Sequence, residues 1–112
     1  MAKKTINALR REIGRIDEGV LTLCAERFRL AEEIERVKRN NGDWQRLVCP
    51  RVEEQRLRRA RETGERLGLD RGFAEMVIRM LMRETLRYEV IKREITMAAG
   101  KAKRKIRTGG RR

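Results

Sequence analysis

The residues best placed to do chemistry are the charges that interrupt apolar helical stripes. In the series Ile16, Val20, Leu23, Arg27, Leu30, Ile34 the steps are three or four, which puts Arg27 on the apolar face of a helix. Its helical neighbours Leu23, Leu30 and Ala31 offer it no acid. Lys38 lies eleven residues on, three turns along the same face through Ala31 and Ile34. Further along, Glu53 heads the stripe Leu57, Ala60, Gly64, Leu67, and Leu81, Thr85 and Glu89 share a face at spacing four. A charge on a buried face is costly unless it is paired or neutralised. Two readings follow. The cations and acids pair as internal salt bridges, or they line a positively charged pocket in a helical core, suited to a small carboxylate ligand.

Composition narrows the chemistry. The chain has 112 residues and no His, and Ser is also missing, so a Ser–His triad, a histidine base and the usual His-containing zinc sites are excluded. Cys24 and Cys49 are too few and too far apart for a metal motif or a disulfide framework, and they suit a reducing cytoplasmic setting. No metal or cofactor is called for. The longest uncharged run, Gly19–Ala25, is too short to span a membrane or to serve as a signal-peptide core. The net charge of +13 attracts anions of any kind. Residues 101–112 hold Lys101, Lys103, Arg104, Lys105, Arg107, Arg111 and Arg112 without an acid, which is more than half of that charge.

The elements that must position these residues are helices. Leu, Ala, Glu, Arg and Lys dominate, and Pro50 is the one proline. The first helix is expected over 5–40, with Thr5 as its cap and Asn40-Asn41-Gly42-Asp43 as its stop. At about 1.5 Å per residue it is roughly 50 Å long, more than two shorter helices can cover, which implies a partner subunit. Trp44, Leu47 and Val48 are expected to pin the following loop. Pro50 suits the start of a second helix over about 51–67, Gly68 its end, and Asp70 the cap of a third. That third helix is expected over about 71–97, with Phe73, Val77, Leu81, Tyr88, Ile91 and Ile95 on one side and Met76, Met80 and Met82 widening the apolar face. The expected organisation is an all-α domain over 1–98 and a disordered basic tail over 99–112.

These residues also carry a family resemblance. Ala8-Leu9-Arg10-Arg11-Glu12-Ile13, Ile16-Asp17, Leu23-Cys24-Ala25-Glu26-Arg27 and Lys38, followed by Pro50, Glu53 and Leu67-Gly68-Leu69-Asp70, resemble the all-helical class of chorismate mutases over about residues 6–92. The resemblance implies a three-helix chain interlocked as a homodimer through its long first helices. It also implies rearrangement of chorismate to prephenate in Phe and Tyr biosynthesis, with no cofactor. By position, Arg10 corresponds to the arginine that crosses the dimer to a substrate carboxylate, and Arg27 to the same-chain carboxylate binder. Lys38 corresponds to the cation at a carboxylate and the ether oxygen, and Glu53 to the acceptor for the ring hydroxyl. Thr85 falls where Ser or Thr assists carboxylate binding, and Glu89 where Gln or Glu lies near the ether oxygen. Two positions depart from the pattern: Cys49 stands where Asp or Asn is usual, and Val52 where many bacterial members have Arg, with Arg51 beside it.

Three other readings compete. The same fold hosts isochorismate-pyruvate lyases, which bind a similar dianion. A non-catalytic relative is consistent with Cys49 and Val52. A basic helical nucleic-acid-binding protein is favoured by the tail and by Arg56, Arg58, Arg59 and Arg61, although no aromatic platform accompanies them. The tail also fits weak, salt-dependent nucleic-acid binding added to an enzyme.

Overall fold

A computed structural model describes residues 3–42 and 49–109 of the chain. Three helices follow one another: α1 (Ile6–Asn40), α2 (Pro50–Arg66) and α3 (Arg71–Gly109), with no strand among the described residues. The all-α expectation therefore holds. The expected packing of Trp44, Leu47 and Val48 lies outside the described residues, as does Asp43.

Local chemistry sets the helix ends. The Ala8 backbone N–H donates to Thr5 Oγ1 at 3.1 Å, which satisfies one of the open donors at the start of α1. At its other end Gly42 has φ +80°. Pro50 occupies the first turn of α2, where its missing N–H costs nothing. The end of α2 is a Schellman turn: Leu69 N–H donates to Gly64 O at 2.8 Å and Gly68 N–H to Glu65 O at 3.1 Å. Gly68 sits between them at φ +77°, a left-handed conformation that glycine adopts without strain. Asp70 Oδ2 then accepts from Phe73 N–H at 3.0 Å and caps α3.

The chain divides into two units, Met1–Ile34 and Glu35–Arg112. The first is a single stretch of α1 whose apolar stripe is exposed, with Ile6, Leu9, Ile13, Ile16, Val20, Leu23 and Leu30 all at least 45 % accessible. In the second, α2 packs on α3. Leu57, Ala60 and Gly64 form the buried stripe of α2, as its periodicity indicates. Gly64 permits the approach: a Cβ there would lie 2.6 Å from the Cβ of Ala74. Arg61 clasps Glu75 across the pair at 3.0 Å.

Two expectations for α3 need correction. It does not end near residue 97 but continues to Gly109, so residues 99–109 extend the helix instead of forming a disordered tail. Ala98, Ala99, Ala102 and the Lys and Arg residues are good helix formers, no proline follows, and one Gly100 costs only about 1 kcal/mol. Cations are also favourable near a helix C-terminus. Secondly, Phe73, Met76, Met80, Tyr88, Ile91 and Ile95 are exposed in the single chain. Of the expected residues Val77, Leu81 and Met82 are half-buried, and the less exposed face also takes in Ala74, Ile78, Thr85, Glu89 and Arg93.

Candidate active site

Glu35, at the start of the second unit, is the one charged residue buried among those described, with 6 % of its surface accessible. Arg93 reaches it from α3. Its Nε donates to Glu35 Oε1 at 2.9 Å and its Nη2 to the same oxygen at 2.6 Å. A charge-assisted pair of this kind is stronger than a neutral hydrogen bond. Lys38 stands one turn beyond Glu35 on α1, half-buried, and Glu89 stands one turn before Arg93 on α3, also half-buried.

The Glu89 carboxyl feels all of these groups. Burial is the main force raising its pKa above the ordinary value, and the Glu35 carboxylate adds to it. Lys38, Arg93 and Arg56 pull the other way without overcoming that rise. Glu89 therefore holds its proton to higher pH than an exposed glutamate does. A protonated carboxyl is a hydrogen-bond donor, which an ionised one is not.

The remaining expected residues are placed as follows. Thr85 is half-buried one turn before Glu89, and its Oγ1 donates to Leu81 O at 2.8 Å. Glu53 lies half-buried in the first turn of α2, four residues before buried Leu57. Cys49 is the residue that caps α2. Its backbone is extended at φ −121°, and its side chain makes no capping hydrogen bond, where an Asp or Asn would. Arg10 and Arg27 belong to the other unit, Arg10 exposed and Arg27 half-buried. The structure thus brings together Lys38 and Glu89, and adds Glu35 and Arg93, which sequence reasoning missed, and Arg56, which it assigned only to a basic face. A signal for the first two was present. Arg27, Ala31, Glu35 is a spacing-four series, and so is Thr85, Glu89, Arg93.

Past Arg93 the second unit has a cavity of about 560 Å³ bordered by Arg39, Arg93, Lys101 and Arg104 with Met97. It shares Arg93 with the cluster but contains none of the expected site residues. Among the described residues there is no grouping of three or more acids or cysteines fit to hold a metal ion.

The sequence matches the description chorismate mutase type II over residues 9–90, a stretch that holds Arg10, Arg27, Lys38, Glu53, Thr85 and Glu89. The chain belongs to the chorismate mutase type II family. As a member it is an isomerase acting on chorismate and yielding prephenate. Comparison with curated proteins and with solved structures gives no match. No helix among the described residues is long and apolar enough to cross a membrane.

Proposed function

We propose that the chain rearranges chorismate through electrostatic positioning, with Lys38 and Glu89 acting on the ether oxygen. The observation that carries this reading is the family match over residues 9–90, with half-buried Lys38 and Glu89 one turn from the Glu35–Arg93 pair that joins their helices. The reaction is unimolecular and needs no nucleophile, which agrees with residue types limited to Arg, Lys, Glu and Thr. What it needs is a flexible dianion held in a compact, chair-like shape and stabilisation of negative charge as it grows on the ether oxygen.

Each side chain then has a part. Arg27 grips a carboxylate with its planar fork, and Thr85 assists. Lys38 supplies a point charge to a carboxylate and to the ether oxygen, which is more negative in the transition state than in the substrate. Glu89 donates its proton in a hydrogen bond to the same oxygen. Glu53 accepts from the ring hydroxyl. Arg10 comes from a second copy of the chain and meets the other carboxylate. The exposed apolar stripe of α1 supports that second copy, since a contiguous exposed apolar face marks a site of association. The setting is the cytoplasm, which suits free Cys24 and Cys49, and the product feeds Phe and Tyr formation.

The basic end of α3 adds weak, salt-dependent affinity for nucleic acid without taking part in turnover. The division at 98/99 marks where the catalytic part gives way to this extension.

The test is the pH dependence of kcat for wild type and Glu89→Gln. The sign follows from the raised Glu89 pKa. The donor form is complete at acid pH and is lost as pH rises through the folded value, so wild-type kcat falls toward alkaline pH. Glu89→Gln, whose amide donates at every pH, flattens that fall. A mutant profile that keeps the wild-type shape removes Glu89 from the mechanism.

A further inference from the structure

The Glu35–Arg93 pair has no part in the roles just assigned, yet it is the most buried ionic contact described, with side-chain exposures of 8 % and 14 %. Burying such a pair costs several kcal/mol of desolvation, and well-packed apolar residues in its place are often as stable. Stability alone is a poor reason for a carboxylate and a guanidinium here. Their placement offers a better one. Glu35 precedes Lys38 by three residues on α1, and Arg93 follows Glu89 by four on α3, so each is a same-face neighbour of an ether-oxygen group. Both donations converge on one oxygen, at 2.9 and 2.6 Å, and tie the Lys38 turn to the Glu89 turn.

We propose that Glu35 and Arg93 are a positioning pair for the rearrangement, fixing the Lys38 turn against the Glu89 turn and setting the charge around the Glu89 carboxyl. This rests on the Glu89 role proposed above. The charged groups facing Glu89 are Glu35 and Lys38 from α1, Arg56 from α2 and Arg93 from α3. Glu35 is the anion among them, and three cations oppose it. Because Arg93 is engaged by Glu35, its pull on Glu89 is partly neutralised. Loss of the Glu35 charge therefore acts twice in one direction: it deletes the anionic neighbour and removes the carboxylate that offsets the Arg93 charge.

The experiment is kcat against pH, with chorismate as substrate and the full chain as enzyme, for wild type, Glu35→Gln, Glu35→Asp, Arg93→Gln and Glu89→Gln. Glu35→Gln keeps the shape and an acceptor for Arg93 while removing the charge. Its alkaline fall in kcat is expected about one pH unit or more below that of wild type, with the acid-side kcat retained to within a few-fold. Glu35→Asp, which keeps the charge, returns the fall toward its wild-type place. Displacement by Glu35→Gln and its return in Glu35→Asp are the signature, since simple loss of packing lowers kcat without moving the fall. Arg93→Gln strands the buried Glu35 carboxylate and releases the Lys38 turn from the Glu89 turn, so its kcat is expected to drop even at acid pH. A folded Glu35→Gln enzyme whose fall stays at the wild-type pH, or a folded Arg93→Gln enzyme with wild-type kcat throughout, overturns the pairing role. If Glu89→Gln also keeps the wild-type fall, the Glu89 reading itself has failed. If Glu89→Gln is flat while the other variants are unmoved, only the pair is refuted.

Discussion

Ile16→Asp, in the middle of the α1 stripe, probes the second copy on which the proposed role of Arg10 depends. Ile16 is 64 % exposed in the single chain, so charge there costs a monomer little. In a dimer joined along α1 the same side chain becomes buried. Fully burying an Ile is worth about 1.5–3 kcal/mol, so covering its exposed two-thirds is worth about 1–2 kcal/mol. A twofold interface uses each position twice, which brings the sum to about 2–4 kcal/mol per dimer. At 1.4 kcal/mol per tenfold, the dimer dissociation constant rises about 30- to 700-fold from lost apolar burial. The buried, unpaired aspartates weaken it further. Sedimentation equilibrium over a dilution series reads the constant directly. Specific activity read on the same samples should fall with dilution, because in the proposed dimer each site takes its Arg10 from the other copy. An Ile16→Asp chain that sediments and turns over like wild type at every concentration would refute the reasoning, as would a wild type that is active as a monomer.

Two further outcomes concern the frame around the site. Cys49→Asp gives α2 the side-chain cap it lacks and should raise stability by about 0.5–2 kcal/mol, seen as a higher urea midpoint at fixed protein concentration. An unchanged midpoint would mean that the cap position is satisfied in another way. Gly64→Val drives a side chain into Ala74, whose Cβ cannot swing aside, so α2 and α3 must separate at a cost of about 1–3 kcal/mol. Thermal unfolding measures this, and a stability equal to wild type would show that the helices are less closely packed there.

Much of the fold was legible because its signals are local. Thr5, Pro50, Gly68 and Asp70 mark helix ends through capping chemistry that needs no knowledge of the rest of the molecule. The extension of α3 was misread because a run of cations suggests disorder, whereas Ala98, Ala99 and Ala102 give it helix propensity that one glycine does not cancel. Apolar stripes were legible as stripes but not as core: Leu23, Phe73 and Met76 remain exposed in the single chain. Lys38, Thr85 and Glu89 were legible because charge or a hydroxyl on an apolar face is anomalous. Glu35 and Arg93 were missed although each continues a spacing-four series, since each lies among other charges and the pairing across 58 residues of sequence is what separates them from solvated neighbours.

Prephenate formation from chorismate by the purified full chain, wild type beside Lys38→Ala, bears on everything above. Wild type should convert chorismate to prephenate without a metal or cofactor. Lys38→Ala should remain helical and lose on the order of 10²–10³ in kcat, the usual consequence of removing one preorganised donor to a developing negative charge. Failure of wild type to form prephenate at any pH from mildly acidic to mildly alkaline, or a Lys38→Ala enzyme as fast as wild type, would contradict it.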